Sequence, residues 1–206
     1  MKLYDRRKVD ELIFLDVGAS RDGRGPDFDL ISEVADYFSV PLTVGGGVRT
    51  YDDVKQLLRS GADKVAIGTA IDLLRDVAHD FSPSIVASVD YRGDECFVRS
   101  GTIPLNETPV RLAERVANLG VGEILLNSID RDGTMQGYDL DMISAVSSAV
   151  SAPVIACGGC SGYEDMEMAI DAGASAVAAG ALFQFTQATP IGACRYLKGR
   201  GFHVRV

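Results

Sequence analysis

Pro41-Leu42-Thr43-Val44-Gly45-Gly46-Gly47-Val48-Arg49-Thr50 decides the fold, because the chain writes it twice. At Pro153-Val154-Ile155-Ala156-Cys157-Gly158-Gly159-Cys160, 112 residues on, the same order of proline, apolar run and glycines returns. Each copy reads as a buried strand that enters a glycine turn and then a helix. Glycines there let backbone N–H groups approach an anion, and the following helix N-terminus adds a favourable dipole. Two such cradles at a fixed offset point to a ligand with two phosphates. Glycines that only permit tight turns are the competing explanation.

Outward from this stretch the offset holds almost without gaps. Glu11 matches Glu123, Ile31-Ser32 matches Ile143-Ser144 and Val34 matches Val146. Gly61-Ala62 matches Gly173-Ala174, and Gly68 matches Gly180. Apolar runs at 11–17, 42–44, 63–67, 84–90, 123–128, 154–156 and 174–178 have the character of strands buried on both faces of a parallel sheet. Between them lie helical patterns at 28–38, 50–61, 69–79, 109–119, 140–150 and 163–171, with polar loops at 21–26 and 130–137. Met1 to Val9 looks helical, and 92–104 reads as a hairpin or long loop. Strands alternating with helices give a parallel α/β architecture with right-handed crossovers.

A duplicated half-barrel of four βα units makes the fold class α/β, a two-fold repeated (βα)8 TIM barrel. The expected organisation is one domain over 1–206, with halves at 10–121 and 122–206. The repeat leaves seven strands and places the first βα unit ahead of Met1, with about 29 residues of the pattern not represented. Phe202 to Val206 is the other candidate for a closing strand. An open barrel edge invites pairing with a second copy, so a homo-oligomer is expected.

Composition narrows the function. The 206 residues are 47% apolar and 24% charged, ordinary for a globular protein. No membrane span and no signal peptide are apparent, which suggests the cytoplasm. A net charge of −9 argues against nucleic acid as a partner, while backbone cradles can still hold phosphate. Cys96, Cys157, Cys160 and Cys194 read as free thiols. Cys157 and Cys160 have metal or redox spacing, but there is no second pair and the two histidines lie elsewhere, so small residues at a strand end is the better reading and no metal or cofactor is expected.

In such a barrel the ligand meets residues at the C-terminal ends of strands. That rule selects Gly47 with Gly68 and Thr69 as one phosphate group, and Asp132, Gly133, Gly159, Cys160, Ala179 and Gly180 as the other. Asp90 ends a strand and can serve as general acid or base. Asp16, Asn127, Ser128 and Asp130 are further candidates, Asp16 and Asp130 also reading as structural acids. No nucleophile constellation is apparent. At the opposite rim Glu11, Lys64 and Glu123 start three strands, where a solvated rim is the plain expectation.

Residues 10–16, Thr43 to Val48, Ala62 to Val65, Gly122 to Thr134 with Tyr138-Asp139, and Gly158-Gly159 together resemble the cyclase subunit of imidazole glycerol phosphate synthase. The resemblance covers essentially the whole chain. It implies a two-fold symmetric barrel of histidine biosynthesis that takes ammonia from a glutaminase partner and closes an imidazole ring on a bis-phosphorylated ribulosyl substrate. It further implies that Asp90 is the general acid, that the two glycine groups hold the phosphates, and that Glu11, Lys64 and Glu123 belong to the ammonia entrance. A second catalytic Asp and a loop Lys of that family fall in the unit not represented here, so low activity is expected of the chain by itself. Gly68 stands where the cyclase usually has Asn. Asn127 stands where it usually has Thr and, with Phe28 to Ile31, looks more like relatives that help amidate surface-polysaccharide sugars. A non-catalytic fragment that binds phosphate or a partner is the third reading.

Overall fold

The computed structural model describes residues 9–204. Of the helical reading of Met1 to Val9, residues 1–8 lie outside them and Val9 is not helical. Seven parallel strands form the frame: β1 (Leu12–Leu15), β2 (Leu42–Gly45), β3 (Lys64–Ile67), β4 (Ile85–Arg92), β7 (Glu123–Ser128), β8 (Val154–Cys157) and β9 (Ala176–Ala178). They pair in chain order and curl as a half-barrel, and β1 and β9 end the path among the described residues. Between β4 and β7, β5 (Glu95–Val98) and β6 (Ile103–Pro104) form an antiparallel hairpin on β4. This settles residues 92–104 as a hairpin.

The helices are α1 (Ala19–Asp22), α2 (Phe28–Ala35), α3 (Tyr51–Arg59), α4 (Leu73–Phe81), α5 (Pro109–Asn118), α6 (Leu140–Ala149), α7 (Tyr163–Asp171), α8 (Ala181–Phe185) and α9 (Pro190–Gly199). Two expectations need correction. Arg21 and Asp22 lie in the one-turn helix α1, which Gly23 ends at φ 73°, so the polar loop begins later. Phe202 to Val204 form no strand, since the backbone after α9 turns at Gly201; Arg205 and Val206 lie outside the described residues.

Side chains alternate across each strand, and the two faces carry different cores. Ile85, Ala87, Val89 and Tyr91 of β4 join the large core between sheet and helices. Ala66, Val86, Leu125 and Ile155 pack with Ile13, Cys157 and Ala178 in a separate, smaller cluster inside the curl. The inner face therefore carries, in order along β4, Val86, Ser88 and Asp90, and along β7 Glu123, Leu125 and Asn127. Apolar residues occupy its middle and polar ones its ends.

The glycines repeat as contacts, not only as letters. A side chain at Gly46 would strike the Asp16 carbonyl, and one at Gly158 would come 2.6 Å from the Ser128 carbonyl. At Gly47 it would come 2.6 Å from the Arg24 carbonyl, and at Gly159 it would strike that of Gly137. All four have positive φ, from 74° to 106°. Each glycine turn is thus pressed against the loop of the preceding unit, where any Cβ would collide. This packing alone accounts for glycine at these four positions.

Candidate active site

Asp90 sits near the C-terminal end of β4, beside Asn127 in the parallel register of β7. Its half-buried carboxylate accepts from Asn127 Nδ2 at 2.9 Å and Ser88 Oγ at 3.2 Å, both on Oδ1. Burial pushes its pKa above the ordinary carboxylate value. The two donors pull it down and the Asp132 charge pushes it up further, and the net direction is upward. A carboxyl shifted this way keeps its proton to higher pH, as an acid catalyst must. Ser88 carries no motif; its position two residues before Asp90 on the same strand face is the signal that finds it.

A cleft at the ends of β7, β8 and β9 is lined by Gly133, Gly158, Gly159, Cys160 and Gly180 among others, and by Asp132 and Cys157, whose charges act on Asp90 or feel it. It brings together every member of the second glycine group, including Ala179. Gly133 and Met135 both adopt positive φ as the loop after β7 folds over it. Gly47, Gly68 and Thr69 of the first group end the adjacent strands β2 and β3. Two of their polar groups already have protein partners: Gly47 N–H donates to Ser20 Oγ at 3.3 Å, and Thr69 Oγ1 accepts from Arg99 N–H at 3.1 Å.

Asp16 turns to its own loop. It accepts from the N–H groups of Gly18 and Ala19, each at 3.0 Å, and pairs with Arg24 at 3.1 Å. Burial opposes the charge, but these partners together hold its pKa below the ordinary value. Asp130 pairs with Arg92 at 2.8 Å on the exposed rim, where Arg92 also stacks 5.0 Å over Phe97. Ser128 is buried on the other face of β7, on the side of the Tyr91 hydroxyl rather than turned to Asp90. Strand periodicity explains this: Asn127 and Ser128 are neighbours in sequence and must point to opposite faces.

At the other end of the strands, Lys64 Nζ bridges Glu11 at 2.9 Å and Glu123 at 2.7 Å. Burial alone would lower the Lys64 pKa, but the two carboxylates hold it above the ordinary value. Glu123 Oε2 is buried without a partner among the described residues. Cys157 and Cys160 stay free thiols, with burial pushing the Cys157 thiol up to about 12. No group of three or more His, Cys, Asp or Glu suited to a metal occurs among the described residues, and no helix there is long and apolar enough to cross a membrane.

An inward acid at a strand end, flanked by glycine turns on a parallel βα frame, defines a TIM-barrel-like enzyme. The chain belongs to the histidine biosynthesis protein family, whose model matches residues 1–189. It is similar to imidazole glycerol phosphate synthase subunit HisF of Corynebacterium diphtheriae, at 44% identity over 98% of this chain and 84% of that protein. The HisF subunit of Nocardia farcinica is 48% identical over 90% of this chain and 79% of its own length. That of Frankia casuarinae is 45% identical over 99% and 85%.

Proposed function

We propose that the chain is the cyclase subunit of a cytoplasmic imidazole glycerol phosphate synthase, acting in histidine biosynthesis with ammonia delivered by a glutaminase subunit. Its substrate is a bis-phosphorylated ribulosyl compound. The observation that carries this reading is Asp90, an inward carboxyl at the end of β4 held by Asn127 and Ser88, with the glycine-lined cleft that Asp132 and Cys157 border close by. In the proposed reaction Asp90 protonates a departing oxygen or nitrogen of the substrate. The cleft formed by Asp132, Gly133, Gly159, Cys160, Ala179 and Gly180 takes one phosphate. The ends of β2 and β3, with Gly47, Gly68 and Thr69, take the other. Ammonia enters at the opposite end, past the bridge of Lys64 with Glu11 and Glu123. The halves 10–121 and 122–206 are the duplicated units that give one phosphate site each. A second copy pairs through the strand edge of β1 or β9, each of which pairs on one side only among the described residues.

Calorimetry with the bis-phosphate tests the reading. Saturable binding is expected, weakened at least about tenfold when one phosphate is removed from the ligand, as two separate grips require. Absence of binding would overturn it. Asp90→Asn is expected to bind the ligand with similar affinity and to lower ammonium-dependent turnover by about a hundredfold or more relative to the unmodified chain.

A further inference from the structure

The surroundings of Asp90 distinguish its two oxygens. Asn127 Nδ2 and Ser88 Oγ converge on Oδ1 from the neighbouring strand and from the same strand. An amide N–H cannot turn into an acceptor, so a proton on Oδ1 would face another hydrogen. Reversing the amide would set its oxygen against the ionised carboxylate that each proton transfer leaves behind. Among the described residues no hydrogen bond ends on Oδ2. Oδ2 faces Gly68: a methyl group there would lie 3.4 Å from it, and 3.1 Å from Ser88 Cβ. The glycine therefore leaves open the space in front of Oδ2 and leaves Ser88 in place. Asn127 gives up something for this arrangement, since its own Oδ1 is buried without a partner among the described residues. A buried carbonyl left unpaired is costly, and satisfying Asp90 is the gain the geometry offers in return.

We propose that Asn127 and Ser88 are positioning residues that reserve Oδ1 of Asp90 as an acceptor, so that the transferable proton sits on Oδ2 and leaves through the gap over Gly68. The proposal rests on the reading of Asp90 as general acid. In the step the Oδ2–H bond breaks, a new H–O or H–N bond forms on the departing substrate atom, and the electron pair stays on the carboxylate. Water returns the proton afterwards. The anion formed in between is met at once by the two donors already on Oδ1. The other groups facing Asp90 are Asp132 from the loop after β7, Cys157 at the end of β8 and Cys96 on β5. Both thiols are pushed up to about 12 by burial and stay neutral, and Asp132 adds a like charge. The two donors are thus the groups that favour the carboxylate, against burial and Asp132.

The test is the titration of the Asp90 side-chain carboxyl followed by carbon-13 NMR in the full chain. Asn127→Leu, which keeps the volume and removes the amide, is expected to move the midpoint to higher pH. Ser88→Ala should move it the same way by less, and Gly68→Ala should raise it by excluding water from Oδ2. A midpoint that stays or falls in Asn127→Leu overturns the proposal. Should that variant not fold, the same outcome in Ser88→Ala overturns it. The acid reading fails separately, if Asp90→Asn keeps full turnover, and the direction in which the titration midpoint moves is independent of that result.

Discussion

Asp90 should cost the fold stability at neutral pH. Its pKa is raised in the folded chain, chiefly by burial, so the unfolded chain releases the proton first as pH rises. The associated stability is complete below the ordinary carboxylate value of about 4 and is lost as pH rises through the folded value. Asp90→Asn removes that liability and can still accept from Asn127. It is expected to melt at a higher temperature than the unmodified chain at pH 7, with the gap closing below about pH 4. Calorimetric melting at both pH values checks this, and an equal or lower melting temperature at pH 7 would count against it. At this scale the sequence is readable in part. Asp90 and Asn127 can be found from strand-end positions alone. Ser88 cannot, because a serine inside an apolar strand has no motif, and Ser128 is drawn in whenever strand ends are read without their faces. Asp16 likewise has the position of a site residue, yet its carboxylate serves Gly18, Ala19 and Arg24.

Helix starts show the duplication in a form that mutagenesis can compare. Thr50 caps α3: its side chain accepts from Asp53 N–H at 3.1 Å, and Asp53 Oδ2 accepts from the N–H groups of Thr50 and Arg49, each at 2.9 Å. The equivalent start of α7 has Gly162 in place of Thr50, so only half the box remains, with Asp165 accepting from Ser161 N–H at 2.7 Å and from its hydroxyl at 2.6 Å. Thr50→Ala is expected to cost about 1 kcal/mol in urea denaturation. Gly162→Thr should gain about 0.5 kcal/mol, since a side chain there meets only the flexible end of Glu164. Equal responses at the two sites would show that the hydroxyl is not what distinguishes them. The regular elements are legible because apolar period and caps agree. The one-turn α1 is not, since four residues rich in polar side chains carry no helical period. The hairpin is ambiguous for a different reason, as its tip has non-glycine residues, Arg99 and Ser100, in the left-handed region.

Across the molecule, the four thiols share one electrostatic condition. Burial raises the pKa of each, to about 12 for Cys96 and Cys157, to about 11 for Cys194, and upward for Cys160. Native thiols should therefore alkylate slowly at pH 7.5, and all four should react when the chain is unfolded. Unfolded thiols ionise near pH 9 while folded ones do not, so stability present below that value is expected to fall steadily between about pH 9 and 12. Denaturation midpoints taken through that range check the slope, and a flat profile would contradict the buried, neutral state of these side chains. The repeat makes the parallel architecture legible at this scale, because 112-residue spacing recurs in strands, glycines and helix starts alike. The inner and outer cores are less so, since both faces of these strands are apolar.

The hairpin tip adds a constraint in time. Ser100 Oγ donates to the Val17 carbonyl at 2.5 Å, and Arg99 N–H to Thr69, so one short excursion from β4 clasps the ends of units that precede it by 83 and 30 residues. Neighbouring strands close far shorter loops, and closure over a long stretch is entropically slower to meet. The clasp on Val17 should then be among the last native contacts to form during refolding, after the βα units have paired.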